Sequence, residues 1–253
     1  MNLSRCLVPR QLIFLLAAAL ILTGARPALS QDSITLRDGQ TQTVQILGVT
    51  DSGIKIQLGN GVMVEPFANI AQVSMGPPPE YTAAVAAYES GDAQRALSLT
   101  GGVVSNYARL PTTWAQDAMR MLGDIYVALG QIPQAKAAYA NYQRAYPGAG
   151  VQDINVGLAS IDVANQDYDA AKAKIQPVLD QALRQRNLPA PAAALIGRAF
   201  YLSGKIKEHD GDLTGALEDY LRTVTIFPQD RVAAANAQAG ADALRKAHGT
   251  TVP

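Results

Sequence analysis

The sequence predicts a mainly α protein: a solenoid of stacked helix–turn–helix repeats, preceded by a small all-β, barrel-like module. Three observations carry this. Residues 115–150 form one helix–turn–helix unit with an apolar stripe, and weaker copies lie on both sides. Residues 33–75 alternate apolar and polar positions in short runs separated by Asp-Gly, Ser-Gly and Asn-Gly turns. Between the two regions stands the stiff stretch Gly76-Pro77-Pro78-Pro79, a linker over 76–79.

In the central unit, Met119, Leu122, Tyr126, Tyr139 and Tyr142 recur at helical steps. Gly123 and Ala135 are small where two helices must approach closely. Gly130 stops the first helix, Pro133 fits the first turn of the second, and Pro147-Gly148 ends it. One such unit cannot bury its own apolar face, so copies are required. Leu122, Gly123 and Tyr126 stand at an L-G-x2-Y spacing, followed by Ala135, Tyr139 and Pro147. This pattern resembles the tetratricopeptide repeat (TPR) family.

Copies of the unit extend over 80–247. Upstream, Gly91 and Ala96 repeat the five-residue step of Gly130 and Ala135. Pro111-Thr112-Thr113 supplies a helix start with threonine as cap. Downstream, Leu158-Ala159 and Gln166-Asp167-Tyr168-Asp169-Ala170-Ala171 form a third unit, in which Asp162 departs from the Tyr126 position. Phe200, Gly204, Gly211, Ala216, Tyr220 and Pro228 form a fourth, with Ser203 and Lys207 as departures. The anchoring alanines 96, 135, 171 and 216 are spaced 39, 36 and 45 residues apart. These exceed the family period of about 34, and the largest excess falls around Asp180 to Pro191, as a lengthened helix and turn. Asp230 can cap a final helix from Arg231 to His248, polar on its outer face and stopped by Gly249. A tail occupies 248–253.

The β module reads as four or five short antiparallel strands, with Pro66 to Ile70 as a helical turn before the last. It is similar to small SH3-like or Sm-like barrels. Its cations are Arg37 and Lys55 and its aromatic ring is Phe67, too few for an RNA groove. It is expected to act as a structural cap or docking module, with a peptide site along an open strand edge as the alternative.

Residues 1–30 read as a secretory signal peptide. Arg5 and Arg10 precede the apolar run Leu12 to Leu22, and Ala28-Leu29-Ser30 is a small-x-small cleavage site. A retained anchor is the alternative, and membrane contact is expected only in that case. Cys6 precedes the apolar run, so it makes no lipid-attachment site, and cleavage leaves a chain without cysteine. A periplasmic or secreted bacterial protein is expected. The chain carries 21 basic and 21 acidic residues; removing Arg5, Arg10 and Arg26 leaves 18 against 21. That balance argues against nucleic acid.

No catalytic or cofactor motif occurs, and the expectation is no enzyme, no cofactor and no metal. Glu208, His209 and Asp210 are adjacent and diverge around a helix, so His209 reads as a solvated terminus. The sole tryptophan, Trp114, reads as a packing residue. The TPR resemblance implies a concave face lined by the first helix of each pair. It places Tyr81, Tyr88, Asp117, Arg120, Asp124, Ser160, Arg198, Tyr201 and Lys205 there as a partner-binding strip, mixed in charge and rich in tyrosine. Reversing Arg120 and Arg198 to glutamate is expected to spare the fold. The strip lacks the basic-plus-asparagine clamp for a C-terminal carboxylate. AAYANYQRAYPG also resembles helices of envelope assembly coordinators. The expected role is a scaffold or adaptor of the bacterial envelope that binds a protein or peptide partner. The alternatives are a small-ligand binder, for a glycan or peptidoglycan fragment, and a self-associating structural protein.

Overall fold

The β region, Ser33 to Ser74, is built on a period of two. The computed structural model describes residues 31–184 and 189–249; the expected signal segment, Cys6 and residues 250–253 lie outside them. Six strands form: β1 (Ser33–Leu36), β2 (Thr41–Thr43), β3 (Gln45–Val49), β4 (Gly53–Leu58), β5 (Gly61–Pro66) and β6 (Ile70–Ser74). One more strand forms than the four or five expected, because the run 41–49 breaks at Val44 into β2 and β3, each pairing in a different sheet. A single 3-10 turn, Phe67–Asn69, precedes β6 as the sequence implied. The strands make two antiparallel three-stranded sheets, ordered β2-β1-β6 and β3-β4-β5. Ile34 lies opposite both Gln42 and Val73, and Ile56 opposite both Ile46 and Met63. Ile34, Val44, Ile46, Ile54, Ile56, Ile70 and Val73 are buried together.

Nine helices follow among the described residues: α1 (Pro79–Glu89), α2 (Ala93–Tyr107), α3 (Thr113–Ala128), α4 (Ile132–Ala145), α5 (Val151–Ala164), α6 (Tyr168–Arg184), α7 (Ala190–His209), α8 (Leu213–Thr225) and α9 (Arg231–His248). They stack as four antiparallel pairs and one closing helix, a solenoid of the repeat type the sequence predicts. His248, expected in the tail, is the last residue of α9. The β core is continuous with the first helices, since Val103, Leu110, Trp114, Ala115 and Ala118 pack into it. Trp114 is a packing residue here: its indole N–H donates to the Met75 carbonyl at 2.9 Å and its ring meets Tyr81 and Tyr107.

The four anchoring alanines, Ala96, Ala135, Ala171 and Ala216, are all fully buried. Five residues before each, the inter-helix turn needs a left-handed residue. Gly91, Gly130 and Gly211 supply it with φ of +82°, +69° and +81°, but the third turn uses Gln166 at +63°. Asp92, Asp212 and Asp230 cap the helices after them by accepting from backbone N–H groups three residues on. Thr112 does not cap α3 with its side chain; its hydroxyl is buried without a hydrogen-bond partner.

Two tyrosines set the stacking distance. Tyr139 of α4 wedges between Gly123 of α3 and Gly157 of α5; a Cβ at either glycine would lie 2.3 or 2.6 Å from its ring. Tyr220 of α8 repeats the arrangement between Gly204 of α7 and Gly240 of α9. The polar departures find charged partners on the second helix of their own pair instead of apolar packing. Asp162 bonds Lys174 at 2.5 Å. Ser203 and Lys207 both meet the buried Asp219 carboxylate, at 2.7 and 2.6 Å, as does Arg222 at 2.8 Å.

The first helices of the pairs form the inner layer, in which α1, α3, α5, α7 and α9 touch in turn. The curvature is tight enough that α9 also reaches α1, where Arg231 pairs with Glu89 at 3.3 Å.

Two substitutions test the turn and wedge assignments by chemical denaturation. Gly123→Ala should destabilise by about 1–3 kcal/mol, because its methyl overpacks Tyr139. Gln166→Gly should stabilise by roughly 0.5–1 kcal/mol by relieving the left-handed strain, net of the entropy glycine adds to the unfolded chain. Equal midpoints for both variants and the parent would refute the assignments.

Candidate concave binding site

Inner-helix residues at the spacing of Tyr88, Asp124, Ser160 and Arg198 turn toward the hollow of the solenoid. Two adjoining cavities open there. The larger, about 300 Å³, is lined by Tyr88, Asp124, Ser160, Arg198, Tyr201 and Lys205. The smaller, about 160 Å³, is lined by Tyr81, Tyr88, Asp117 and Arg120. All nine residues of the expected strip therefore line one cavity or the other, and Tyr88 lines both. Every inner helix contributes to the larger cavity. Val127, Val163, Leu202 and Val232 give it apolar walls, while Lys205 and Asn236 stand at its more exposed side.

Between the cavities the charges are consumed by one another. Asp124, only 7% exposed, accepts from Tyr139 at 2.6 Å, from Arg198 of α7 at 2.8 Å and from Arg120 one turn away. Arg198 reaches Asp230 at 3.7 Å, and Asp117 stands 3.8 Å from Arg120. Burial is the largest influence and opposes the charge of both guanidiniums, yet Asp124, together with Asp117 and Asp153 for Arg120 and with Asp230 for Arg198, outweighs it and holds both above the ordinary arginine value. Asp124–Arg198 bridges α3 to α7 across the concave face.

This geometry corrects one expectation. Arg120 and Arg198 are structural, with 21% and 11% of their side chains exposed. Reversing both would set new carboxylates against buried Asp124, a folding defect. The sequence also gave no sign that α9 would enter the site. Asp230 was legible as a helix cap, but its second contact, with Arg198, depends on the curvature of the stack. Ser160 is tied back to the Val156 carbonyl at 3.2 Å. His209 stacks on Tyr168 with ring centroids 3.9 Å apart, at an exposed helix end.

The tyrosines share a chemical signature. Burial, reinforced by Asp117 and opposed by Arg120, pushes the Tyr81 phenol up to about 12. Burial raises Tyr88 further, aided by Asp124. Tyr139, donating to Asp124, and Tyr220, donating to Glu208 at 2.6 Å, are raised too, chiefly by burial. Among the described residues no group of three histidine, cysteine or acidic side chains stands close enough to hold a metal, and no helix is long and apolar enough to cross a membrane. The site offers an apolar hollow with a few polar edges, suited to holding a side chain or small ligand.

Residues 117–149 match the family model of the tetratricopeptide repeat. The match covers α4 and most of α3, the same unit the sequence singles out, and supports a TPR-family protein. Repeats of this kind generally mediate protein–protein interaction and typically serve as non-enzymatic scaffolds. Searches of curated proteins and of solved structures found no match to the chain.

The raised phenols predict a pH dependence. Tyrosines in the unfolded chain ionise near 10, while these keep their protons in the folded state. Stability is then fully present below pH 10 and falls as pH rises through about 12. Absorbance at 295 nm should show a subset of the ten tyrosines ionising only as the fold is lost. Ionisation of all ten near pH 10 in a folded chain would contradict the geometry.

Proposed function

We propose that the protein is a non-enzymatic scaffold or adaptor of the bacterial cell envelope that holds a protein or peptide partner on its concave face. The observation that carries this reading is the cavity of about 300 Å³ to which all five inner helices contribute. Its volume and apolar walls suit one or two anchoring side chains of a partner. Tyr88 and Tyr201 add amphipathic surface of the kind that dominates interfaces. Because Arg120 and Arg198 are answered by Asp117, Asp124 and Asp230, the partner is recognised through shape and apolar contact more than through charge. The β module, of SH3-like character in this reading, is a structural cap on α2 and α3, and the N-terminal segment directs export to the periplasm or beyond.

The two tyrosines also favour a second reading, in which the cavity takes a small ligand such as a glycan or peptidoglycan fragment.

Ala164 offers the test. It lines the cavity and is exposed, so Ala164→Trp fills the hollow without touching the core. The variant should keep its stability within about 0.5 kcal/mol and lose a protein that the parent captures from envelope extract. Capture that survives the tryptophan would remove the concave face as the binding surface. If neither form captures a protein, and a glycan-fragment panel binds the parent but not the variant, the second reading holds.

A further inference from the structure

The β3-β4-β5 sheet has two unlike edges. At β3 it packs against α2, where a Cβ on Gly48 would lie 3.0 Å from the Asn106 carbonyl oxygen. At β5 it is open. Among the described residues no backbone hydrogen bond outside the β4 ladder involves Gly61 to Glu65. Natural edges are blunted by charge, proline or a bulge. The other two long pairings each carry a bulge, but β4–β5 is unbroken over six residue pairs. Residues 61–64, Gly-Val-Met-Val, carry no charge. Val62, Met63 and Val64 are 56%, 47% and 39% exposed, and Leu58 beside them 43%.

The register says which groups are free. The two-residue turn Gly59-Asn60 is closed by Leu58 opposite Gly61, a hydrogen-bonded pair. Bonded pairs alternate, so Met63 and Glu65 turn their backbone groups toward β4. Val62 and Val64 turn theirs outward. Pro66 has no N–H and ends the usable edge.

We propose that β5 pairs antiparallel with β5 of a second copy of this chain, centred on Met63, to join the two sheets into one of six strands. The edge is self-complementary in that register. Val62 of each copy exchanges two backbone bonds with Val64 of the other, four in all. On one face the ladder runs Ile56–Met63–Met63–Ile56, apolar throughout. On the other it runs Lys55–Val64–Val62–Gln57, so the two lysines never meet. Gly61 faces Glu65 of the other copy, whose carboxylate is already held by the Asn69 amide at 2.8 Å, and the absent side chain leaves it room. The contact is isologous and closes as a two-fold dimer. Five residues per copy fall short of the roughly 1,000 Å² of a lasting interface, so the dimer depends on concentration.

Thiol trapping reads the register directly. The chain has one cysteine, Cys6, so full-length chain carrying Cys6→Ser accepts a single new thiol. At the centre, Met63 faces Met63 in a non-hydrogen-bonded pair, with Cα atoms about 4.5 Å apart and within disulfide reach. Two residues Val64 lie beyond the roughly 7 Å limit. Met63→Cys should therefore oxidise to a disulfide dimer several-fold faster than Val64→Cys. In sedimentation at rising concentration the mass of the parent should climb toward twice 26.7 kDa. Val62→Lys with Val64→Lys, which sets like charges side by side across the axis, should remain monomeric with an unchanged circular dichroism spectrum. Equal trapping at both positions, a parent that stays monomeric, or a dimer that survives the lysines would each overturn the proposal. A monomeric parent would leave the edge to a strand from a different protein.

Discussion

The contact on which the helical stack depends is Tyr139 wedged between two glycines. Its ring fills the space that side chains at Gly123 and Gly157 would need, so α3, α4 and α5 close to ring thickness. Its hydroxyl lies 2.6 Å from Asp124. The same side chain thus sets the spacing of two repeats and pins the carboxylate at the centre of the concave face. Tyr220 repeats the wedge between α7 and α9, with Glu208 as the acceptor. Such a contact is hard to vary, because a methyl group on either glycine meets aromatic carbon with nowhere to go.

The charged centre follows from that spacing. Asp124 is buried, and a lone buried carboxylate is costly. Three donors from three other positions answer it, and one of them, Arg198, comes from two repeats away. A buried pair of this kind is weak evidence for stability but strong evidence for a fixed geometry, since removing one partner strands the other. The hollow beside it stays apolar because the charges are spent on each other. What that face leaves uncommitted to ion pairs is the surface of Tyr88, Tyr201 and the valines. The β module adds a separate surface, with one edge covered by α2 and the other open.

Much of the fold is legible in the sequence because its signals are local. The step from Gly91, Gly130 and Gly211 to the alanine five residues on fixes the turns, and Asp230 and Gly249 bound the last helix. All nine inward residues line the hollow: helical period decides which of them share a face, and the TPR resemblance implies which face turns inward. The missed features are non-local. Ser203 and Lys207 look like losses in a repeat pattern, yet both answer Asp219 from the neighbouring helix. Gly157 and Gly240 carry no signal until Tyr139 and Tyr220 are seen against them. Gln166 holds the glycine position of its turn, and the backbone bears the strain. Arg120 and Arg198 looked like free surface charges; only the curvature that brings α7 toward α3 shows them to be paired. The split of β2 from β3 depends on which sheet each half joins.

The measurement that bears most directly on this account is a double-mutant cycle between Asp124 and Arg198. Asp124→Asn, Arg198→Met and the combination would be compared by chemical denaturation. The closed concave face predicts a coupling of about 1–3 kcal/mol, as for residues in one buried network. Additive losses, within roughly 0.3–0.5 kcal/mol as for distant sites, would mean that α3 and α7 are not joined across the hollow and that the concave face is not held in the geometry described.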